Sequence, residues 1–535
     1  MSNTVYSYSY LSVPRKPRQN RRRPVGLVVT ALLLIGLGII AYQRFAPTSV
    51  EKAVDRLQFD SSVTAGEKQT IVDTIKNQAK TYRGTMRAGV DTTLTPSQDK
   101  STLTAYVPVT NFYASRQILT KPELKDVAVR VPSDTGAVVR KALATVLGLE
   151  TGDMTDLTGS PEEIPAGEVA FIPADRLTPK MKLLGFEGAY YLDSFTSGAV
   201  FRQAVFSGSD AASLAGLTLN GLAGKDTTLK VNMTGVTALT RVMMTKLNTV
   251  KDPLYFSQQI GDFLSDADIT HVSNEVSFQA GCQYHNSSFC SPPEFIETLK
   301  DSGVDLVELT GNHNNDRGNT YNTSSINQYH NLGMATFGGG LNREEAAKPY
   351  IANLKGNTIT FIGYNKADGL TSGAIAAEST AGANYYTDEK AEADITAAKQ
   401  NSQFVIVDIQ YSECYAYPDG FVEYPVCDGP ISGQQESFRK MIDFGADMVV
   451  GSSAHQPQTY ELYKSKPIYY GLGNLYFDQT RWPGTERGII LTHYFVGGTL
   501  IQTKLSPTVY GTELQTRLMD NDTAVWLLDR LNAAR

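Results

Sequence analysis

The sequence is poor in the residues that most often build metal and nucleophile sites. Its 535 residues include six histidines, four cysteines and two tryptophans. No C-x-x-C spacing occurs, which argues against a cysteine-rich zinc site. No G-x-S-x-G elbow lies between a predicted strand and helix, which argues against a serine hydrolase of the α/β type. The formal net charge of −7 does not indicate a protein that binds nucleic acid.

One long apolar run is present near the N-terminus. Residues 25–42 carry no charge and are rich in Leu, Ile and Val. At about 1.5 Å per residue, such a helix spans a bilayer core of roughly 30 Å, near the short limit. Basic residues crowd residues 1–24 and place that end in the cytoplasm. A cleaved signal peptide is the alternative, but no small-x-small cleavage site follows. We therefore expect a single-pass protein of the cell membrane with a cytoplasmic N-terminus and extracytoplasmic main domains.

The four cysteines agree with export from the cytoplasm. They form two pairs that are close in sequence, Cys282 with Cys290 and Cys414 with Cys427. An even count at short spacing in an exported domain is typical of local disulfides. We predict the bonds Cys282–Cys290 and Cys414–Cys427, while the other two connectivities stay open.

The chain is too long for one hydrophobic core, so two or more domains are expected. We predict a basic disordered tail over 1–24, a transmembrane anchor over 25–42 and a stalk over 43–60. Alternating helical and strand-like patterns predict an α/β domain over 61–228. That region lacks histidine and cysteine, which favours a binding or spacer role. A second α/β domain is predicted over 229–535.

In the second domain, apolar strand-like runs end in polar residues. Seven runs are predicted as strands: 229–237, 269–278, 304–313, 358–365, 404–413, 447–455 and 467–478. Helices are predicted between them at 255–267, 293–303, 326–333, 389–400 and 434–446. Open α/β sheets bind ligands beyond the carboxyl ends of their strands. The polar clusters therefore predict one shared crevice.

Residues 307–318 contain the most informative of these clusters. An apolar run stops at Thr310, and Asn312, His313 and Asp316 follow at once. Asparagine offers a neutral oxygen ligand, histidine a proton-transfer group or metal ligand, and aspartate a partner that fixes the tautomer of the ring. A turn that uses Asn and Gly for their tolerance of positive φ is the alternative.

Further segments follow in an order that resembles a known family. They are Asn274 with Glu275, residues 312–318, residues 445–451, His455 and residues 466–474. Over roughly 230–500, this order resembles the CapA-like capsule and poly-γ-glutamate synthesis proteins. The resemblance implies a metallophosphatase-like β-sandwich flanked by helices, with its site at the strand C-termini. It also implies a hydrolase of an anionic polymer or phosphoester that uses a divalent metal such as Mn or Zn.

The same resemblance assigns roles to single residues. Asn312, His455 and Glu275 are expected to be metal ligands. His313 is expected to protonate the leaving group or contact an oxyanion, with Asp316 holding its ring. The remaining candidates for lining the site are Asn274, Glu413 and Asn474.

Three ligand positions of the family hold other residues in this chain, namely Val236, Gln410 and Ser452. Losing ligands can abolish a dinuclear site. Four residues offer the means to rebuild one differently: Asp408, Glu413, His271 and Glu275. The alternative function is a metal-free pseudoenzyme or binding protein for an envelope polymer, a solute or the capsule machinery. A solute-binding role for the first domain also stays open, since residues 168–188 are similar to part of a periplasmic solute-binding protein.

Overall fold

The structure is a computed structural model that describes residues 57–59, 68–69, 72, 86–91, 102–195, 197–208, 225–285, 288–366, 373–414, 425–479 and 482–535. The predicted tail and membrane span, and most of the predicted stalk, lie outside these residues. Within the described ranges, no helix is long and apolar enough to cross a bilayer. The described chain is mixed α/β with several sheets, as the sequence patterns predict.

The first part of the chain contains one large mixed sheet. Strands and helices are numbered separately in chain order. The strands are β1 (Leu57–Phe59), β2 (Met86–Asp91), β3 (Thr102–Asn111), β4 (Ile118–Leu119), β5 (Val129–Pro132), β6 (Met154–Leu157), β7 (Val169–Pro173), β8 (Met181–Leu183), β9 (Gly185–Phe186) and β10 (Val200–Gly208). The sheet order is β1-β2-β10-β3-β7-β5-β6, and β8 pairs with β3. Helices α1 (Ala137–Leu147) and α2 (Tyr191–Ser194) accompany this sheet.

The second part contains two large sheets. The first has the order β14-β13-β12-β11-β24-β25-β26, with β23 on β11. Its strands are β11 (Thr228–Ala238), β12 (Ile269–Asn274), β13 (Leu306–Glu308), β14 (Ala335–Phe337), β23 (Asn474–Phe477), β24 (Arg487–Val496), β25 (Thr499–Tyr510) and β26 (Thr516–Leu518). Strands β11 to β14 are parallel, so their carboxyl ends meet at one edge.

The second large sheet has the order β16-β17-β19-β20-β22-β21. Its strands are β16 (Tyr350–Leu354), β17 (Asn357–Asn365), β19 (Phe404–Gln410), β20 (Met448–Ser452), β21 (Tyr460–Tyr463) and β22 (Lys466–Tyr469), while β15 (Gly339–Gly340) and β18 (Gly382–Ala383) form a separate small pair. Strands β17, β19, β20 and β22 are parallel. Both large sheets therefore bring carboxyl ends of parallel strands together.

These two sheets share one hydrophobic core. Val231 and Leu306 of the first sheet belong to the same buried cluster as Ile406 and Val450 of the second. Residues that alternate with these along the strands point outward and pack under helices, as the two-residue period of a strand requires. Val407, for example, packs in a separate cluster with helical residues. The domain is thus a two-sheet sandwich with helices on its outer faces.

The helices of this domain begin and end as their sequences favour. They are α3 (Arg241–Val250), α4 (Gly261–Ser265), α5 (Ile296–Asp301), α6 (Asn319–Asn331), α7 (Arg343–Ala346), α8 (Asp388–Lys399), α9 (Gln434–Asp443) and α10 (Asn521–Ala533). Helix α8 is capped by Thr387, whose side chain accepts the N–H of Lys390. Asp388 and Glu389 then place acidic charge in its first turn, where the helix dipole favours it.

The structure differs from the sequence-based prediction at several elements. Predicted strand 467–478 is two strands, β22 and β23, which lie in different sheets. The chain crosses between the sheets at Gly473, which has φ of 70° and where a Cβ would lie 2.5 Å from a backbone oxygen. Predicted helix 255–267 is reduced to a short 3₁₀ turn and α4. Strands β24 and β25 and helix α10 were not predicted.

Candidate functional site

Polar side chains meet at the carboxyl ends of the parallel strands of the sandwich, at the position of the predicted crevice. Asn274 closes β12, and Glu275 follows it directly. Asn312 and His313 follow β13 after a short turn. Gln410 closes β19 of the facing sheet. The parallel strand order therefore delivers residues that are far apart in sequence to one place, as the sequence predicts.

His313 and Asp316 form a hydrogen-bonded pair. The Nδ1 atom of His313 lies 2.9 Å from Oδ2 of Asp316. The same carboxylate oxygen accepts the backbone N–H of Phe289 at 2.8 Å. The Phe289 ring packs edge-on against His313, with 4.6 Å between centroids. The carboxylate thus fixes the orientation of the imidazole and the position of the neighbouring loop.

A second carboxylate faces the other nitrogen of His313. Oε1 of Glu413 lies 3.8 Å from Nε2 of the ring. Burial by itself lowers the pKa of His313, but interactions with Asp316 and Glu413 outweigh it and raise the pKa to about 10. The imidazole is therefore a cation at neutral pH, placed between two acidic side chains.

A second histidine pair lies deeper in the crevice. Nε2 of His455 is 3.9 Å from Oε2 of Glu275, and each side chain is only 1% exposed. Nδ1 of His455 is 3.0 Å from Oδ1 of Asn474, which orients the ring. Burial raises the pKa of Glu275, while the charges of His455 and His313 oppose that shift. His455 has φ of 59°, a strained backbone conformation of the kind that clusters at functional sites.

The carboxylate of Glu275 is unusual for a buried charge. Among the described residues, neither of its oxygens has a hydrogen-bond partner. A buried carboxylate that lacks such partners carries a large desolvation cost. The structure therefore places an incompletely satisfied acidic group beside His455.

The three positions where the family carries other ligands are filled in different ways. The Nε2 amide of Gln410 donates to Oδ1 of Asn312 at 2.8 Å and to the Ser453 hydroxyl at 3.3 Å. Val236 packs in an apolar cluster. Ser452 is buried at the end of β20. Within the described part of the chain, no three His, Cys, Asp or Glu side chains are placed to hold one metal ion. These residues do not fit a dinuclear centre.

Two predicted site residues make mainly local contacts. The Asn274 amide donates to the backbone oxygen of Val276, and its carbonyl accepts the hydroxyl of Thr237. The Asn474 amide donates to the backbone oxygen of Thr485 in addition to its contact with His455. Asn474 thus supports the crevice through His455, whereas the contacts of Asn274 stabilise the end of its strand.

His271 and Asp408 lie between the sheets, beneath the crevice. Nε2 of His271 is 3.1 Å from Oδ2 of Asp408, and both side chains are almost completely buried. Burial and the charge of Asp408 raise the pKa of nearby Glu308 to about 8. His271 and Asp408 therefore pair with each other, and neither has a described contact with the crevice residues Glu275, His313 or His455.

Both predicted disulfides are present, and both flank His313. Cys282 bonds to Cys290, and Cys290 directly follows Phe289 in the sequence. Cys414 bonds to Cys427, and Cys414 directly follows Glu413 in the sequence. Each bond therefore lies next to a residue that contacts the His313 ring.

Sequence reasoning missed three residues beside the histidine pairs. The guanidinium of Arg241 lies over the rings of Phe289 and Phe477. Phe477 in turn contacts His455, with 5.1 Å between centroids. The signal available in the sequence was the position of Arg241 just after the first strand of the domain. The two phenylalanines resemble ordinary core residues, so their pattern alone carries no such signal.

Comparison with known proteins places this crevice in a family context. The family described as bacterial capsule synthesis protein PGA_cap matches residues 230–479, which include all the crevice residues described above. The capsule biosynthesis protein CapA of Bacillus anthracis is 26% identical over 221 residues, which are 40% of this chain and 50% of that protein. The PGA biosynthesis protein CapA of Bacillus subtilis (strain 168) is 25% identical over 207 residues, which are 38% of this chain and 51% of that protein.

A shorter match is to another protein of polymer synthesis. A probable polyglutamine synthesis accessory protein of Mycobacterium tuberculosis is 30% identical over 94 residues, which are 18% of this chain and 22% of that protein. The chain spans about half the length of the two Bacillus relatives that it matches. Residues 230–479 of this chain are thus similar to the bacterial capsule synthesis proteins, in agreement with the CapA-like resemblance seen in the sequence.

Proposed function

We propose that this protein is a membrane-anchored, extracytoplasmic component of capsule or poly-γ-glutamate synthesis or export, whose crevice binds an anionic envelope polymer. The family match supports a role in capsule synthesis, because it covers the residues that form the crevice. The apolar run at 25–42, the basic residues before it and the two disulfides support the proposed location. The proposed partners are the membrane, the polymer and the capsule machinery, and not nucleic acid.

One observation carries the proposal that binding needs no dinuclear metal centre. The amide of Gln410 donates to the carbonyl oxygen of Asn312 at 2.8 Å, so one of the two lone pairs of that oxygen already accepts a hydrogen bond. An amide N–H beside that oxygen repels a cation, because the donor carries partial positive charge. The arrangement supports a crevice that works by hydrogen bonding and charge.

One cationic side chain in the crevice, that of His313, is open to an anion, which would compete with Glu413 for the Nε2 atom of that ring. His313 is positively charged at neutral pH, since its interactions raise its pKa to about 10. Its side chain is 20% exposed, so a ligand in the crevice can reach it. Charge-assisted hydrogen bonds from imidazolium to carboxylate or phosphate oxygens are stronger than neutral ones.

A second candidate is a hydrolase that uses a single divalent cation such as Mn or Zn. It is favoured by Glu275, whose two buried oxygens have no described hydrogen-bond partner and lie beside His455. The side-chain oxygen of Gln410 is also buried without a described partner. Glu275 and His455 would hold the ion, and the ion would supply Lewis acidity and a water of lowered pKa. In this candidate, His313 protonates the leaving group and Asp316 orients its ring.

The test combines polymer binding with metal content, measured on the full-length protein in detergent. The variants are Glu275→Gln and His455→Ala, with His330→Ala as the matched control. His330 contacts Thr336 at 2.9 Å and is largely exposed, outside the crevice. Binding of a γ-glutamyl oligomer by protein that holds no metal, as shown by elemental analysis, supports the first candidate.

Stoichiometric metal that is lost in Glu275→Gln and His455→Ala, but retained in His330→Ala, supports the second candidate. Absence of both oligomer binding and metal from the wild-type protein would contradict both.

A further inference from the structure

Arg241 occupies a constrained position beside the crevice. It is the first residue of α3, which follows β11 after a short link. Its backbone φ of 44° is a left-handed value that residues other than glycine rarely adopt. Such a conformation persists only where the surrounding structure enforces it. The fold therefore holds this arginine in place against a local conformational preference.

Two aromatic rings enclose the guanidinium. Its carbon lies 4.9 Å from the centroid of Phe289 and 4.7 Å from that of Phe477. Both distances are within the range of favourable cation–π contacts. Phe289 also contacts His313, and Phe477 also contacts His455. Arg241 is thus one aromatic ring away from each histidine of the crevice.

The hydrogen bonds of Arg241 leave part of its donor capacity unused. Nη2 donates to the backbone oxygen of Asp478 at 2.8 Å. The Asp478 carboxylate accepts the N–H groups of Val242 and Met243 instead of the guanidinium. Nε of Arg241 is buried and has no hydrogen-bond partner among the described residues. A guanidinium has five N–H donors, so donors in its plane remain for a ligand.

The charge of Arg241 acts inside the crevice. Burial raises the pKa of Glu275, and Arg241 is among the positive groups whose charge opposes that shift. No described carboxylate forms an ion pair with Arg241, although many other cations of the chain have one. Burial also raises the pKa of Asp478 and the charge of Arg241 opposes that shift, so Arg241 acts on this carboxylate as well as on Glu275.

We infer that Arg241 is an oxyanion-binding residue, which holds a carboxylate or phosphate group of the ligand beside His313 and His455. The planar fork of a guanidinium matches both anions and binds them with two parallel hydrogen bonds. Aromatic rings over the guanidinium orient its edge, which is the part that makes those bonds. The inference rests on the proposed function, because the anion belongs to the same ligand.

The test measures ligand binding by calorimetry on full-length wild-type protein, Arg241→Gln and Arg241→Lys. The matched control is Arg439→Gln, since Arg439 lies over the ring of Tyr463 at 5.1 Å but is paired with Glu461 at 2.6 Å. The probes are a γ-linked glutamate oligomer, which offers only carboxylates, and inorganic phosphate. The probe that wild-type protein binds identifies the source of the oxyanion.

We expect Arg241→Gln to weaken binding about tenfold or more, because a charge-assisted bidentate contact is lost. Arg241→Lys should lose a smaller factor, because lysine keeps the charge without the fork. Arg439→Gln should bind as wild-type protein does. Reduced binding by Arg241→Lys at an unchanged thermal unfolding midpoint supports direct recognition.

Two results would overturn the inference. If Arg241→Gln binds the probe as tightly as wild-type protein, Arg241 does not hold the anion, while the proposed function stands. If binding by both Arg241 variants falls only in proportion to their folded fraction, the residue is structural. Failure of wild-type protein to bind either probe would remove the proposed function and this inference together.

Discussion

Replacing Asp316 with asparagine should lower the pKa of His313 while keeping the geometry of the pair. Oδ2 of Asp316 accepts hydrogen bonds from His313 and from the backbone N–H of Phe289. An asparagine carbonyl oxygen can still accept at that position, but it carries no negative charge. The substitution therefore tests the charge of Asp316 separately from its shape.

The size of the effect follows from the strength of the contact. Hydrogen bonds to charged groups contribute roughly 1.5–3 kcal/mol. One pKa unit corresponds to about 1.4 kcal/mol, so the substitution should lower the pKa of His313 by about one to two units. The starting value is about 10. Glu413→Gln is the control and should have a smaller effect, because Glu413 is 3.8 Å away with a side chain that is 39% exposed.

The pH dependence of stability gives a second readout. The pKa of His313 is raised on folding, from an ordinary value of 6.5 to about 10. Its contribution to the free energy of unfolding is therefore complete below about pH 6.5 and is lost as the pH rises towards 10. NMR titration of the imidazole measures the pKa, and urea unfolding from pH 6 to 10 measures the linkage. An unchanged pKa in Asp316→Asn would refute the role given to Asp316.

Three further predictions concern other parts of the molecule. Replacing Cys282 and Cys290 together by serine should lower the free energy of unfolding by roughly 2–3 kcal/mol, because their bond closes a short loop. Urea titration measures this, and an unchanged midpoint would contradict it. Gln410→His removes the amide donor on Asn312 and adds an imidazole, so the affinity for Mn or Zn should rise roughly tenfold or more by calorimetry. Unaltered affinity would count against the role assigned to Gln410. Burial lowers the pKa of Lys182 from 10.5 to about 7, so the contribution of Lys182 to stability should increase with pH between these values, opposite in sign to that of His313. In thermal unfolding, stability should therefore fall more steeply with rising pH in Lys182→Met than in wild-type protein, and an unchanged pH dependence would show that Lys182 does not contribute to it.

Much of the sandwich could be predicted from local patterns. Buried parallel strands such as β19 are continuous apolar runs, because both faces of the sheet are covered. The division of 467–478 into two strands could not be predicted, since nothing in its apolar pattern shows that the chain changes sheets at Gly473. The strand pattern in β24 and β25 was available, and Gly497 with Gly498 marks the turn between them.

The site was predictable to the extent that its partners are close in sequence. His313 and Asp316 are three residues apart, and their side chains form a hydrogen bond. Glu275 and His455 are far apart, and only the family order of segments suggested that they meet. The hydrogen bond from Gln410 to Asn312 was not predicted, because Gln410 was considered only as a missing ligand. Its new role depends on the distance between two sheets, which no local pattern encodes.

The two disulfides give the crevice a stability of its own. Each closes a loop beside the sandwich, and the residues next to the bonds, Phe289 and Glu413, contact His313. Opening of such loops does not require the strands to separate, because the hydrophobic core between the sheets lies elsewhere. Reduction should therefore speed amide hydrogen exchange at Phe289 while the amides of β11 and β19 remain protected. The conformational stability of the crevice loops should therefore depend on the redox state of their surroundings, whereas that of the sandwich depends on its hydrophobic core.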